Sequence, residues 1–427
     1  MQILQKEYNK LKYFISVSSV IIAIALFFPI LLSARQNTQP LTKSNADSAS
    51  VEIKDTTFTA PQKDLSDIIS SIFKKHASRE KANDTITSKP VFSVVAAVGY
   101  TLQTKLAATI SGNVAFRSNT AKLSTITGNA TYTQNKQFYL PIQSNIWTKG
   151  NKYDFVGDFR FYKYPQSTFG LGSSSNIANE DPMDYRYFRF YEYALTKIKG
   201  NFFGGVGYIL DYRWNISHKG NKNGTESDYT KYGTKSPTIS SGITLNALYA
   251  TRDNPINASK GVYATLQLRN TFKAFRSNSN WNSLILDMRK YFRFPGSSPN
   301  VLAFWSYNWL ILKGKPSYLD LPSNGWDSYS CTGRGYIQGR FRGAQMVYFE
   351  TEYRLRLSAN GLFGAVLFAN AESFSAGPGT PLQKIQPGYG TGIRIKIKKE
   401  SKTNLSIDYG FGVQGSKGLF INIGEYF

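Results

Sequence analysis

From residue 90 to residue 427, apolar and polar residues alternate with a period of two. In the segment 344–357, for example, Val347 and Phe349 fall on one side of the chain, and Glu350 and Glu352 fall on the other. Successive side chains of a β-strand point to opposite faces of its sheet, so the pattern predicts strands with one apolar and one strongly polar face. The same alternation returns in the segments 393–398 and 404–412.

A sheet with one apolar and one charged face suits a membrane barrel, whose outside contacts lipid and whose inside contacts water. Open sheet edges cannot lie in hydrocarbon, so we expect the sheet to close. The segment 91–427 has room for about sixteen strands, at roughly 21 residues for each strand and its connection. The predicted fold is therefore all-β, a transmembrane antiparallel β-barrel. Connections 217–237 and 313–343 are expected to be long extracellular loops, and 359–361 a short periplasmic turn.

The first 34 residues have the layout of a secretory signal peptide. Lys6, Lys10 and Lys12 precede an apolar run over 14–32, and small residues follow at 33 and 34. The run is also long enough for the alternative, an uncleaved membrane anchor, because about 20 apolar residues span a bilayer. If the signal peptide is cleaved after residue 34, the barrel that follows predicts a protein exported to the outer membrane of a Gram-negative bacterium.

The segment 35–90 is polar and predicts a periplasmic extension too small for a core of its own. Within it, residues 64–76 have the spacing of an amphipathic helix, which Asp64 can cap. This helix is expected either to occlude the periplasmic mouth of the barrel or to lie on the inner leaflet or the barrel rim. Its apolar face consists of Leu65, Ile68, Ile69, Ile72 and Phe73.

The composition agrees with many short strands, since aromatic residues make up 15% of the 427 residues and charged residues only 18%. The formal charge of +24 is spread along strand-like segments, so we expect outer-membrane lipid or lipopolysaccharide as a partner and no nucleic acid. The sequence has one cysteine, Cys331, and two histidines, His76 and His218, far apart. We therefore expect no enzyme activity, no cofactor and no metal site.

The last residues alternate like a closing strand of a barrel. Leu419, Ile421, Ile423 and Phe427 share one face of this predicted strand. To close the cylinder it must pair with the first strand, 91–98. We call the junction between these two strands the seam. The terminal segment resembles the strand that bacterial outer-membrane barrels present to their assembly machinery.

Three blocks of sequence resemble the BamA/TamA outer-membrane protein superfamily, also known as the bacterial surface antigen domain. The first, Arg252, Asp253, Asn254 and Pro255 with Gly261, resembles the turn between the eighth and ninth strands of that superfamily. The second, Gly333, Arg334, Gly335 and Tyr336, resembles its lumenal loop signature, with Gly333 where the family has a branched apolar residue. The third runs from Glu352 to the glycine-rich end of the chain.

The resemblance implies that Arg334 enters the lumen and meets Glu352 and a residue of the following strand. At that second position the sequence has Asn370 where the family has Asp, so Glu372 is the alternative partner. Arginine suits this role because its five donors form a rigid fork that fits carboxylates.

The resemblance also implies that the protein assists assembly, insertion or translocation of outer-membrane proteins or lipids at the seam. The expected partners are client outer-membrane proteins and periplasmic assembly factors. The segment before residue 91 is too small for the POTRA modules of assembly members, so a passive anion-preferring pore and a surface binding barrel stay as alternatives.

Overall fold

The computed structural model describes residues 60–65, 67–68, 90–101, 105–118, 120–234 and 236–427. The predicted signal peptide 1–34 and most of the predicted helix 64–76 lie outside the described residues. All the described residues belong to one compact unit, Thr56–Phe427.

The structure is a single seventeen-stranded sheet. The strands are β1 (Val91–Thr101), β2 (Lys105–Phe116), β3 (Ser124–Thr133), β4 (Phe138–Trp147), β5 (Tyr153–Lys163), β6 (Gln166–Thr168), β7 (Asp181–Lys199), β8 (Phe202–His218), β9 (Thr238–Ala250), β10 (Gly261–Thr271), β11 (Trp281–Arg293), β12 (Val301–Gly314), β13 (Gln345–Arg356), β14 (Phe363–Phe374), β15 (Gln386–Lys398), β16 (Thr403–Phe411) and β17 (Lys417–Ile423). One short helix, α1 (Asp228–Tyr232), lies between β8 and β9.

The strands form an antiparallel meander in which each strand pairs with its neighbour in sequence. The exception is the three-residue strand β6, which pairs with β7 on the same side as β5 and so continues the line of β5. Pro165 lies between them and has no N–H for the ladder, which explains the interruption. Because β5 and β6 share one position, the seventeen strands occupy sixteen positions in the sheet. The predicted antiparallel all-β fold and the number of strands are confirmed.

The sheet is apolar on the outside and charged on the inside. Leu245, Leu367 and Ile393 are each about half exposed, at 50%, 52% and 50% of their surface. By contrast, Glu350 and Glu352, which project into the lumen, are 0% exposed. This is the reverse of a water-soluble domain, in which charged residues are almost never fully buried and apolar ones line the core. Among the described residues, no helix is both long and apolar enough to cross a membrane.

The two ends of the barrel differ in the length of their connections. At one end, here called the turn end, the chain crosses between strands in short segments such as 200–201 and 399–402. The other end, here called the loop end, carries the long connections 219–237 and 315–344. These loops begin two residues later than predicted because β8 continues to His218 and β12 to Gly314.

The start of the predicted helix contacts the turn end. The N–H of Asp67 donates to Asp64 Oδ1 at 3.0 Å, which is the geometry of a helix cap. Asp64 is buried, with 1% of its surface exposed. Its other carboxylate oxygen accepts the backbone N–H of Lys399 at 3.0 Å. Lys63 also donates its N–H to the carbonyl of Asn360. Lys63, Asp64 and Asp67 are thus held against the β13–β14 and β15–β16 turns.

The prediction that the first and last strands pair is wrong for the described residues. Among them, β1 forms a ladder with β2 alone, and β17 forms one with β16 alone. The φ of Gly424, +103°, ends β17 at Ile423 and turns the chain away from the wall, which shortens the predicted closing strand. Only seven residues of β17 are then left to face the eleven of β1.

Candidate functional site

The loop 315–344 folds back into the lumen and contacts two opposite walls. On one wall, Asp320 pairs with Arg213 of β8 and accepts a hydrogen bond from Ser240 of β9 at 2.7 Å. Nearby, the carbonyl of Asp327 accepts from Arg160 of β5 at 3.3 Å. Most of the loop is buried although it joins two strands at the rim.

On the other wall, Arg334 is the centre of a cluster of three carboxylates. It donates to Glu350 and Glu352 of β13, and to Asp408 of β16 at 2.6 Å. All four side chains are at most 1% exposed. Glu350 lies five residues inside the start of β13, so the loop tip reaches about 17 Å down the strand. We call Arg334 and its three carboxylates the lumenal lock.

Two aromatic rings enclose the Arg334 guanidinium. Its central carbon lies 3.8 Å from the ring centroid of Phe368 in β14 and 4.3 Å from that of Tyr426. A guanidinium held over an aromatic face away from water gains cation–π attraction in addition to its ion pairs. The lumenal lock therefore joins the loop tip, the wall and the last residues of the chain.

The neighbours of Arg334 pack the loop tip against the wall. Gly335 has a φ of +105°, and a Cβ on it would lie 2.5 Å from the carbonyl oxygen of Phe411. Only glycine fits this approach. Its carbonyl accepts from Ser416 at 2.8 Å, and Tyr336 accepts from the N–H of Val413 at 3.2 Å. Gly333 also has a positive φ, +80°, so a branched residue there would be strained.

The two alternative partners of Arg334 behave differently. Asn370 donates through Nδ2 to the main-chain carbonyl of Arg334 at 2.9 Å, so it holds the backbone of the loop and not the guanidinium. Glu372 is 1% exposed, yet neither of its oxygens accepts a hydrogen bond from the described residues. It therefore does not substitute for the missing Asp. The motif did not identify Glu350 and Asp408 as partners of Arg334. The alternation of β13 and β16 indicated only that these two carboxylates face the lumen.

Residues 424–427 enter the lumen after the turn at Gly424. The ring of Phe427 stacks on Trp305 of β12 with centroids 5.2 Å apart, and its carbonyl accepts from Arg354 of β13 at 2.7 Å. Glu425 pairs with Arg394 of β15. Phe427 consequently does not share the outward face of Leu419, Ile421 and Ile423, which corrects the sequence prediction. We call residues 424–427 the lumenal tail.

The predicted turn motif reaches across the turn end of the lumen. Asp253 accepts the N–H groups of Ser259 and Lys260, and Asn254 accepts those of residues 256 and 257, which fixes the connection 251–260. Gly261 has a φ of +108° and lies against the backbone of Thr251, where no side chain fits. From this turn, Ala258 accepts from Arg354 of β13 and Ile256 contacts the lumenal tail.

The other members of the motif, Arg252 and Pro255, lie in the same connection. Arg252 lies over the ring of Tyr263 at 4.0 Å, and Pro255 closes the tight bend after Asn254. The eighth and ninth positions of the barrel, held by β9 and β10, flank this connection as the resemblance implies.

Several inward-facing arginines that would favour anions are ion-paired. Arg394 pairs with Asp408, and Arg269 and Arg189 with Asp211 of β8. A cavity of about 20 Å³ lies between loop 315–344 and the wall that carries Arg189 and Arg269. It has room for a single water molecule. Among the described residues, no group of three or more His, Cys, Asp or Glu side chains is arranged to hold a metal ion.

Comparison with known proteins shows similarity of structure and not of sequence. No protein-family model and no curated protein matches this chain. BamA from Haemophilus ducreyi, in a structure lacking POTRA domains 1–3, aligns with a TM-score of 0.49 and 11% identity over 78% of this chain and 70% of that chain. CdiB from Acinetobacter baumannii aligns with a TM-score of 0.51 and 13% identity over 79% of this chain and 60% of that chain. The likeness to CdiB extends to the fold, so the chain shares the β-barrel architecture of that structure.

Proposed function

We propose that this protein is an outer-membrane barrel that assists the assembly, insertion or translocation of outer-membrane proteins or lipids through its seam. The apolar outside and the charged, loop-filled inside support a membrane location. The observation that carries the proposed activity is the pair of strand edges at the seam. Both edges leave their outer row of backbone N–H and C=O groups without a ladder partner in the described part of the chain.

A free strand edge can pair with a strand of another chain. The outward side chains of β1 are strongly exposed, with Val94 at 74% and Val98 at 70% of their surface. Leu419 and Ile421 share the outward face of β17, since they lie opposite Tyr409 and Ile407 of β16. A client strand that enters the seam would thus meet main-chain donors and acceptors on both sides and an apolar surface toward the lipid.

The lumenal lock and tail support a role for loop 313–343 in the same activity. The loop tip holds Tyr426, and Tyr426 lies three residues after the end of β17. Any movement of β17 away from β1 therefore pulls on the contact between Arg334 and Tyr426. This connection gives the loop a way to govern how wide the seam opens.

The same geometry gives less support to a passive anion-preferring pore or a surface binding barrel. Loop 315–344 crosses the lumen between opposite walls, and two lumenal arginines that would attract anions, Arg334 and Arg394, are paired with Asp408. A passive pore would show anion-selective conductance in planar bilayers that grows when the loop is deleted. A silent barrel in both forms would exclude the pore.

The test is a disulfide across the seam. In a Cys331→Ser background, Val94→Cys is combined with Leu419→Cys, Ile421→Cys or Ile423→Cys in turn, and the oxidised barrel is placed in liposomes. The readout is the rate at which a urea-unfolded eight-stranded barrel protein inserts, followed by its heat-sensitive mobility on a gel. We expect oxidation to abolish acceleration of insertion and reduction to restore it.

A matched control joins two strands that already pair. Tyr409→Cys with Leu419→Cys links β16 to β17 at register partners and leaves the seam free. This variant should accelerate insertion in both redox states. Equal activity of the oxidised seam variants and this control would overturn the proposed function.

A further inference from the structure

Four lysines lie close together at the turn end of the barrel. Lys149 and Lys152 belong to the β4–β5 turn, and Lys197 and Lys199 end β7. The two turns are adjacent, because the N–H of Lys197 donates to the carbonyl of Lys152 at 2.8 Å. All four side chains are exposed, and none forms an ion pair with a described residue. We call these residues the lysine rim cluster.

No carboxylate of the same turns offsets this charge at the surface. Asp154 follows the cluster in β5, but it is 0% exposed. A further cation, Lys122, lies over the ring of Trp147 at 4.6 Å. Burial lowers the pKa of Lys122, Asp154 opposes this change, and Arg252 and Lys197 add to the lowering.

Exposed apolar side chains lie beside the lysines. Ile198 is 61% exposed, and Phe202 and Tyr153 are 41% and 39% exposed. The Ile198 side chain lies over Gly204 of β8, where a Cβ would meet its Cδ1 at 2.8 Å. Lys152 lies 5.2 Å from the ring centroid of Tyr153. Ammonium groups next to exposed apolar and aromatic groups are typical of the boundary between lipid headgroups and acyl chains.

We propose that the lysine rim cluster binds the phosphate headgroup of an anionic phospholipid in the leaflet at the turn end. The ammonium groups contact the phosphate, while Ile198 and Phe202 contact the upper acyl chain. Clustered lysines beside a membrane-spanning element attract anionic lipids in this way. The proposal goes beyond the assembly activity and rests only on the membrane location stated under the proposed function.

The test compares how much lipid the unmodified chain and two variants retain. Each detergent-solubilised barrel is titrated with phosphatidylglycerol or phosphatidylcholine, and the bound lipid is detected by native mass spectrometry. One variant carries Lys→Gln at 149, 152, 197 and 199. The matched control carries Lys→Gln at 163, 219, 273 and 315, which are exposed lysines of the loop end. We expect the unmodified chain to prefer phosphatidylglycerol, the rim variant to retain it about tenfold less, and the control to be unchanged.

Equal retention by all three proteins would overturn the proposal, as would displacement of the lipid by inorganic phosphate at equimolar concentration. Heat-sensitive mobility on a gel shows whether each variant is folded. If the fourfold variant does not fold, the double variants at 149 and 152 and at 197 and 199 are each expected to show a smaller loss. Retention does not depend on insertion activity, so a failed insertion assay with intact lipid binding would reject only the proposed function.

Discussion

The wall formed by β7 and β8 and the seam formed by β1 and β17 are built in contrasting ways. Strands β7 and β8 have 19 and 17 residues and pair along nearly their whole length. At the seam, β17 has seven residues and no ladder partner among the described residues except β16. The β7–β8 wall is therefore expected to open last and the seam first, since local opening follows the density of backbone pairing and buried contacts.

Inward charges reinforce the same contrast. Asp211 of β8 accepts hydrogen bonds from Tyr187 and Tyr191, and from Arg269 at 3.2 Å. This network ties β7, β8 and β10 together inside the wall. At the seam, β17 is held from within through the lumenal tail, by Glu425, Tyr426 and Phe427. The comparison teaches that one barrel can combine a fixed wall with a weakly joined edge.

The largest expected effect is that of Arg334→Ala, because the loop bridges both regions. The substitution leaves Glu350 buried without an ion-pair partner, while Glu352 keeps Arg354 and Asp408 keeps Arg394, and we expect a loss of about 3–5 kcal/mol of unfolding free energy. The loss is measured by incubating the barrel at increasing urea concentrations and finding the concentration at which half of it loses the gel mobility of the folded form. Arg276→Ala, at an exposed loop position, is the control. An unchanged midpoint for Arg334→Ala would show that the lumenal lock does not stabilise the barrel.

Asp211→Ala tests the β7–β8 wall separately. It leaves Arg189 and Arg269 with one fewer buried carboxylate, and we expect a loss of about 3 kcal/mol. Hydrogen exchange should speed up in β7 and β8 and not in β17. Faster exchange at β17 of the same size would contradict the separation of wall and seam.

Tyr426→Ala tests the seam. It removes one of the two rings over Arg334, and we expect a loss of about 1–2 kcal/mol. Exchange should speed up in β16 and β17 and stay unchanged in β7 and β8. Tyr426→Phe, which keeps the ring, should behave like the parent chain. Identical exchange in the Ala and Phe variants would show that the tail does not hold β17.

The smallest effect is expected at Cys331, which reports on the loop. Burial raises the pKa of its thiol well above the ordinary range, and the thiol donates to the carbonyl of Tyr329 at 3.2 Å. We expect negligible maleimide labelling of the folded protein and complete labelling in urea. Labelling should become measurable in Arg334→Ala. Rapid labelling of the native chain would place the loop outside the lumen.

The sequence predicts the barrel well, because alternation is a local property of each strand. The interruption at Pro165 and the short strand β6 are the main features of the wall that the pattern did not indicate. The predicted closing strand 419–427 is shorter in the structure, because β17 ends at Ile423 and alternation does not encode the φ of Gly424. A glycine inside an alternating run is the one available signal, since it often marks a bend.

The candidate site was predicted only in part. Arg334 and Glu352 came from a motif, and the structure places them in contact. Asp408 and Tyr426 were not assigned to the cluster, because their proximity depends on where a 30-residue loop and a short tail meet inside the lumen. Local sequence carries no information on such a distance, which depends on how the sixteen strand positions curve around the lumen.

The loop that crosses the lumen also restricts how the cross-section of the barrel can change. Asp320 is fixed to Arg213 on one side and Arg334 to Asp408 on the other, so one diameter has a set length. A cylinder with one diameter fixed and one break in its circumference can widen only at that break. Any expansion to admit a guest would then concentrate at β1 and β17, and the opposite wall would act as the hinge.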